Sequence, residues 1–300
     1  MPTIAIFGPT ASGKSAVALE LAELAGGEVV SADAMQLYRG LPILTNQPSA
    51  EDLERVPHHL VGIWEPDHEG SVGEYAELAH AAIDGVIRRG RVPIVCGGSG
   101  LYLRAALADM PLPPQAQAGV RAAAERLYDE EGPATAHATL AAVDAPAAAA
   151  VHPNDRRRVV RALELADSGF SLAAADSLLW SAETRHPTVI AGLALPPAET
   201  AGRIRARTEA MFAGGVVAEV RAARARHVFS STAERIHGLQ DVTALLAGEI
   251  PLDEAKRRLE MRTRRYAKRQ RTWMRRLPEV RVVDAAREPR AVAGDIAGWA

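Results

Sequence analysis

The stretch of sequence that decides the fold is Gly8-Pro9-Thr10-Ala11-Ser12-Gly13-Lys14-Ser15. It matches the phosphate-binding pattern G-x-x-x-x-G-K-[ST], whose glycines allow backbone amides to close around phosphate oxygens. A strand-like run, Ile4 to Phe7, precedes it and a helical pattern follows it, so a bound phosphate would lie at a helix N-terminus. We predict that the whole loop binds phosphate. In it, Lys14 is a point charge, Ser15 is a hydroxyl ligand of Mg²⁺, and Thr10 and Ser12 are additional hydroxyl donors.

The pattern of apolar runs extends this prediction to the whole chain. In the first third, strand-like runs such as Glu28 to Val30 and Val92 to Cys96 alternate with helical patterns, which is typical of βαβ units around a parallel sheet. From about Leu112 a Pro-rich stretch (Pro111, Pro113, Pro114) leads into Ala-rich, helix-favouring sequence, and a strand-like run from Pro187 restores the α/β pattern. We therefore predict an α/β fold with a P-loop NTPase-like core and a parallel sheet. The core is formed by residues 1-111 and 187-300, with C-terminal helices, and a helical insertion domain occupies residues 112-186.

Composition and the lengths of the apolar runs exclude some classes of protein. The chain has 300 residues, of which 48% are hydrophobic and 24% charged, and a formal net charge of -2, as in an ordinary globular protein. The apolar runs are far shorter than the roughly 20 residues of a membrane span, and no export signal begins the chain, so we expect a cytoplasmic protein without membrane contact. The single cysteine, Cys96, is expected to be buried, and the pair His58-His59 lacks the partners of a zinc site.

An acidic residue near the loop would help to identify the phosphate compound. Nucleotide enzymes usually place a carboxylate at the end of a neighbouring strand. The run Val92 to Cys96 ends in Gly97-Gly98-Ser99-Gly100, which offers none, whereas the run Glu28 to Val30 leads to Asp33. From spacing alone, Asp33 is a metal ligand, a general base or a helix N-cap.

Several further motifs follow in one order along the chain and resemble the tRNA dimethylallyltransferase (tRNA isopentenyltransferase) family. The loop reads like that family's G-P-T-[AG]-[SV]-G-K-[ST], and Ser31 to Gly40 resembles its S-A-D-S-M-Q-V-Y-R-G. The remaining motifs are His58-His59-Leu60, Gly97 to Arg104, Asn154 to Glu164, Arg265 to Gln270 and Thr272-Trp273. The resemblance covers nearly the full length of the chain.

The resemblance implies a specific reaction. A dimethylallyl group would pass from dimethylallyl diphosphate to the exocyclic N6 of the adenine immediately 3′ of the anticodon in tRNA, with Mg²⁺ as cofactor and diphosphate as product. Asp33 would be the base, because the adenine amine is a poor nucleophile. Thr10 and Arg207 would stabilise the leaving diphosphate, Arg207 by its place in a pattern like R-x-x-x-M-x-x-x-G-x-x-x-E-V.

The resemblance also implies which residues contact the anticodon stem-loop of tRNA. They are Asp33, Ala34, Met35, Gln36, Ser99, Arg121, Arg157, Arg158, Val159, Val160 and Arg161. Gln36, next to Asp33, suits reading the edge of an extruded adenine. A second basic stretch, from Lys256 to Arg276, is predicted to grip RNA phosphates.

Three places depart from the family pattern. The segment Pro42 to Pro48 lacks the Gly and Lys of a D-I-G-T-A-K-P-like stretch, and Ser99 replaces a threonine. The segment Ile236 to Gln240 lacks the aromatic residue of an I-G-Y-[KR]-Q-like stretch. We expect these changes to affect local contacts more than the reaction.

Other functions use the same loop. A P-loop kinase or NTPase would bind ATP and use Asp33 as a metal ligand. A prenyltransferase acting on free AMP, ADP or ATP would need no long helical insertion. A tRNA-binding chaperone with a vestigial loop would not need Lys14, Ser15 and Asp33, all of which are intact. The sequence favours the tRNA enzyme, as a monomer with no obligate protein partner.

Overall fold

The computed structural model describes residues 2–110, 112, 119–173 and 179–299. The chain divides into two units, Met1–Ala108 with Ala182–Ala300, and Asp109–Ser181. Pro111, Pro113 and Pro114, which mark the predicted start of the insertion, lie outside the described residues. Residues 182–186 belong to the first unit, where Arg185 and His186 both bond the Asp84 carboxylate.

A parallel sheet forms the centre of the first unit, which confirms the predicted fold class. Within the described residues it has six strands in the order β3-β2-β4-β1-β5-β6, each parallel to its neighbours. The strands are β1 Thr3–Phe7, β2 Gly27–Ser31, β3 His58–His59, β4 Val92–Gly97, β5 Thr188–Ala194 and β6 Val280–Asp284. The central strands are apolar because both of their faces are covered: Ile4 and Ile94 are 0% exposed.

The helices follow the strands in chain order. They are α1 Lys14–Ala25, α2 Pro42–Thr45, α3 Ala50–Arg55, α4 Val72–Arg88, α5 Gly100–Leu107, α6 Val120–Glu131, α7 Pro133–Val143, α8 Ala145–Ala150, α9 Arg156–Asp167, α10 Pro197–Ala213, α11 Val216–Arg226, α12 Leu239–Leu246, α13 Leu252–Met274 and α14 Pro289–Ala297. In the first unit, α1 and α14 pack on one face of the sheet through Val17, Leu21, Val292 and Ile296. Among the described residues, no helix is both long and apolar enough to cross a membrane.

The second unit is helical in its described part and contains α6 to α9. Tyr128, Val159 and Val160 form one small buried cluster, and Leu140 with Ala162 forms another. Aliphatic positions on α9 at helical spacing therefore supply much of the core of this unit.

Two edge features differ from a simple reading of the sequence. The C-terminal region contains the strand β6 as well as the predicted helices, and β6 extends the sheet beyond β5. At the other edge His59 belongs to the two-residue strand β3 and bonds the Glu28 carboxylate at 2.7 Å, so the histidine pair has a structural partner. Cys96 is buried as predicted, and burial raises the pKa of its thiol to about 11.

Candidate active site

A cavity of about 350 Å³ opens beside the carboxyl ends of β1 and β2. This is where ligands bind in parallel α/β sheets, because loops from several strands converge there. Its polar lining includes Thr10, Lys14, Ser15, Asp33, Gln36, Arg203, Arg207, His237, Tyr266 and Gln270, and its apolar lining includes Leu44, Ile204, Met211 and Leu259. Cations, one carboxylate and an apolar wall thus share one space.

The predicted phosphate loop forms one wall of this cavity. Ala11 and Gly13 have positive φ angles of 64° and 89°, which fold the loop tightly before α1 begins at Lys14. The first amides of a helix have no partner within the helix, and Gly13, Lys14 and Ser15 line the cavity. An anion bound here would accept hydrogen bonds from these amides and from the positive end of the helix dipole.

Other groups of the loop are engaged within the protein. The Thr10 N–H donates to Gln270 Oε1 at 2.7 Å, and the Ser12 N–H donates to Pro9 O at 3.2 Å. Ser12 is 1% exposed, and its hydroxyl has no partner among the described residues. Gly8, Pro9 and Ser12 therefore shape the loop from behind, whereas Thr10, Ala11 and residues 13–15 line the cavity.

Two cationic side chains bond other groups of the loop, one from the start of α1 and one from α10. Lys14 Nζ donates to Pro9 O at 2.9 Å, and Arg207 Nη1, on α10, donates to Thr10 Oγ1 at 3.1 Å. Burial lowers the pKa of both groups, and the Asp33 carboxylate opposes that shift in each case. Both side chains are half-buried and line the cavity, so their two positive charges favour the binding of a multiply charged anion there.

Asp33 lies in the turn after β2 and lines the same cavity. Its Oδ1 accepts the Met35 N–H at 3.0 Å, and Oδ2 accepts no hydrogen bond from a described residue. No helix begins directly after it in the described chain, so the N-cap interpretation is wrong. The turn is instead held by an aspartate bonding the backbone two residues on. One carboxylate oxygen is therefore available to a substrate or a metal.

Gln36 lies on the same turn, and its side-chain amide is held from both sides. Its Oε1 accepts from Ser31 Oγ at 2.9 Å, and its Nε2 donates to Asn46 O at 2.6 Å. Ala34 and Met35 lie between Asp33 and Gln36, and Met35 also lines the cavity. The predicted base-reading segment is thus adjacent to the predicted phosphate site.

Among the cavity residues with no role assigned from the sequence are Tyr266, Gln270 and His237. Tyr266 and Gln270, one turn apart on α13, come from the matched Arg265 to Gln270 motif, and that match was the only available signal. The His237 ring lies 4.6 Å from the Tyr266 ring, centroid to centroid, at an interplanar angle of 34°. Burial lowers the pKa of His237 and raises that of Tyr266. His237 belongs to a segment that departs from the family pattern.

The other residues predicted to contact RNA are not part of this cavity. Ser99 precedes α5 in the first unit, while Arg121, Arg157, Arg158 and Arg161 belong to the second unit. Arg121 pairs with Glu125 at 3.2 Å and Arg161 with Glu164 at 2.8 Å, whereas Arg157 is exposed. Val159 and Val160, also predicted, are 0% and 1% exposed. Direct contact of these two valine side chains with RNA is therefore wrong, because both are packed in the core of that unit.

The basic stretch from Lys256 to Arg276, on α13 and directly after it, has two parts. In its first part the arginines are paired: Arg257 and Arg258 with Glu254, Arg262 with Asp241, and Arg264 with Glu260. In its second part lie the exposed residues Arg265, Lys268, Arg269 and Arg275, here called the basic segment. None of these four forms an ion pair with an acidic residue that the structure describes. The available positive charge therefore begins next to Tyr266 and Gln270 of the cavity.

Comparisons with known proteins agree along the whole chain. A family model described as IPP transferase matches residues 36–277, and one described as Isopentenyl transferase matches residues 1–61. The tRNA dimethylallyltransferase of Anaeromyxobacter dehalogenans (strain 2CP-1) is 45% identical over 92% of this chain and 90% of its own. The tRNA dimethylallyltransferase of Salinispora arenicola is 44% identical over 94% of this chain and 82% of its own.

Solved structures show the same likeness. The tRNA isopentenylpyrophosphate transferase of Bacillus halodurans superposes with a TM-score of 0.72 at 32% identity, covering 99% of this chain and 95% of that one. A eukaryotic dimethylallyltransferase, described as acting on tRNA, superposes with a TM-score of 0.77 at 26% identity, covering 94% and 73%.

Proposed function

Because the chain belongs to the IPP transferase family, we propose that it acts as a tRNA dimethylallyltransferase. It transfers the dimethylallyl group of dimethylallyl diphosphate to the exocyclic N6 of the adenine immediately 3′ of the anticodon, and it releases diphosphate. One observation carries the proposal: Asp33, the phosphate loop and Arg207 line the same cavity of about 350 Å³. A base, an anion site and an apolar wall are what this reaction needs in one place.

The phosphate loop and Arg207 hold the leaving group. As the bond between the allylic carbon and the diphosphate oxygen breaks, the electron pair stays on the diphosphate, and preorganised donors stabilise that charge. Lys14 and the amides at the start of α1 supply donors on one side. On the other, Thr10 Oγ1 accepts from Arg207 at 3.1 Å, so its own proton is free to bond a diphosphate oxygen.

Asp33 is the general base. As N6 of the adenine attacks the allylic carbon, one proton leaves N6 and is taken by the free carboxylate oxygen of Asp33. The Met35 N–H holds the other oxygen at 3.0 Å and so fixes the direction of the carboxylate. The adenine must leave its stack to reach this oxygen, which requires extrusion from the RNA.

Mg²⁺ fits the groups present. The structure describes no cluster of three or more His, Cys, Asp or Glu side chains that could enclose a metal. Mg²⁺ bound to phosphates takes few protein ligands and several waters, so Ser15, exposed in the cavity beside Lys14, suffices as its protein ligand. When bound there, the ion neutralises charge on the diphosphate.

The acceptor is a macromolecule with a phosphate backbone, the tRNA anticodon stem-loop. The basic segment supports this, because exposed arginines and lysines without acidic partners are what phosphates attract. We also assign RNA contacts to Arg121, Arg157, Arg158 and Arg161 of the helical unit, which corresponds to the predicted insertion 112-186. The protein would work in the cytoplasm as a monomer.

The test is to incubate the purified protein with Mg²⁺, dimethylallyl diphosphate and an unmodified anticodon stem-loop, and to follow the RNA by mass spectrometry. The control is Asp33→Asn, whose side-chain oxygen still accepts from Met35 but is not a base. We expect one five-carbon addition with the wild type and a rate lower by about 10²–10⁴-fold with the variant. Parallel reactions contain AMP, or ATP alone. Unchanged RNA with prenylated AMP or hydrolysed ATP would overturn the proposed acceptor or reaction.

A further inference from the structure

We propose that Gln270 is a positioning residue that holds Thr10 of the phosphate loop against Arg207, so that the Thr10 hydroxyl is aimed at the leaving diphosphate. The inference rests on the proposed function and assigns a role to a side chain 260 residues away from the loop. Gln270 itself reaches the loop backbone and acts on the reaction through Thr10.

The contacts of Gln270 are specific. Its Oε1 accepts the Thr10 N–H at 2.7 Å, and its Nε2 donates to Gly98 O at 2.8 Å. The residue is 3% exposed, so these bonds are shielded from water. The side-chain oxygen of glutamine can only accept a hydrogen bond, and its nitrogen can only donate one. The Thr10 N–H and the Gly98 carbonyl together therefore fix the orientation of the Gln270 side chain.

The glycines after β4 allow this helix to approach. A Cβ on Gly98 would lie 2.1 Å from Gln270 Nε2, and a Cβ on Gly100 would lie 1.7 Å from the Trp273 ring. The Gly97-Gly98-Ser99-Gly100 turn, which offers no carboxylate, thus has a different purpose. It provides the surface on which α13 brings Gln270 to the loop.

The conformation of the loop needs such support. Ala11, directly after Thr10, has a φ of 64°, a left-handed conformation that is unfavourable for a residue with a Cβ. Strained residues persist when their surroundings hold them. The bond to Gln270 Oε1 fixes the Thr10 amide, directly before Ala11. The same bond leaves Thr10 Oγ1 within 3.1 Å of Arg207 Nη1. Without it, we expect the loop to relax and the Thr10 hydroxyl to lose its direction.

The test is a double-mutant cycle between Q270M and T10V. Methionine preserves the length of the side chain and removes both hydrogen bonds; valine preserves the shape of threonine and removes the hydroxyl. Rates are measured with saturating stem-loop, and the Kd of inorganic diphosphate is measured by calorimetry. We expect Q270M to lower kcat by about 10–100-fold, the loss of part of one preorganised donor, while KM for the stem-loop changes by less than about threefold. In the T10V background Q270M should have little further effect, because coupled residues are not additive.

The matched control is T200V, which removes a buried hydroxyl on α10: Thr200 is 2% exposed and donates to Pro196 O at 3.0 Å. It should lower Tm without lowering kcat. If Q270M does not fold, the cycle is run with Q270L, a smaller apolar side chain that also lacks an acceptor for the Thr10 amide. The inference would be overturned if the kcat losses of Q270M and T10V simply multiply in the double variant. It would also be overturned if Q270M lowers kcat no more than T200V does. The diphosphate Kd needs no RNA, so the link between Gln270 and Thr10 is tested even if the wild type prenylates nothing.

Discussion

Replacing Arg207 by methionine should separate the two arginines of the candidate site. Arg207 and Arg203 lie one turn apart on α10 and both line the cavity. Arg207 is half-buried and donates to Thr10 Oγ1 at 3.1 Å, whereas Arg203 is exposed. Removing one preorganised donor to a developing anion costs about 10²–10³ in kcat, or ~2.7–4 kcal/mol. A solvent-exposed charge is screened, so R203M should change kcat by no more than about fivefold.

The assay is single-turnover prenylation of the stem-loop by R207M and R203M, with Tm measured for each variant. R207M should lose kcat by the larger factor, and its aliphatic side chain should keep α10 packed. R207K should fall between wild type and R207M, because lysine keeps the charge but lacks the planar fork of arginine. Equal losses in R207M and R203M, or a loss of less than about tenfold in R207M, would contradict the assignment of Arg207 to the leaving group.

Three further outcomes follow from the geometry. G100A should lower the free energy of unfolding by about 1–3 kcal/mol, because its Cβ would lie 1.7 Å from the Trp273 ring. G294A should raise it by about 0.5–1 kcal/mol, because Gly294 is in a helix and a Cβ there would have nothing within 4 Å. Thermal unfolding measures both changes. The hydrogen bond from Arg89 lowers the pKa of Glu28 from 4.5 to about 2, so its ionised form stabilises the fold above pH 4.5 and this contribution is lost as the pH falls towards 2. The Tm difference between E28Q and wild type should therefore be largest at neutral pH and should shrink over that interval. K268A should weaken stem-loop binding about equally for different sequences and reduce the slope of log K against log salt by about 1, measured by titration at several salt concentrations.

The fold and the site differ in how far the sequence could predict them. The loop and the apolar runs are local features, and local features sufficed for the parallel α/β core. The strand β6 was not predicted, because Val280–Asp284 is short and lies at the sheet edge, where exposed residues weaken the apolar pattern. That Asp33 and the loop lie beside one cavity was predictable, because each comes within two residues of the carboxyl end of a parallel strand. The bond from Thr10 to Gln270 was not, because a contact between residues 260 positions apart leaves no local pattern.

The segment that departs most from the family pattern shows why such departures can leave a site intact. Pro42 to Pro48 lacks a family glycine and lysine, yet it forms α2 and contributes Leu44, Thr45 and Asn46 to the cavity. The Glu219 carboxylate accepts the Ile43 N–H at 2.7 Å and the Leu44 N–H at 2.8 Å, which satisfies the start of α2 where no side chain of its own caps it. At the other end, Asn46 O accepts from Gln36 Nε2 at 2.6 Å, on the turn that carries Asp33. These bonds all involve backbone atoms of the segment, so its side chains can change while its path past the cavity is kept. The residue whose identity matters for this path is Glu219, which belongs to the E-V pair at the end of the pattern that Arg207 begins. Burial raises the pKa of its carboxyl group. The same stretch of sequence therefore supplies both the cation that we propose binds the diphosphate and the carboxylate that holds the segment Pro42 to Pro48.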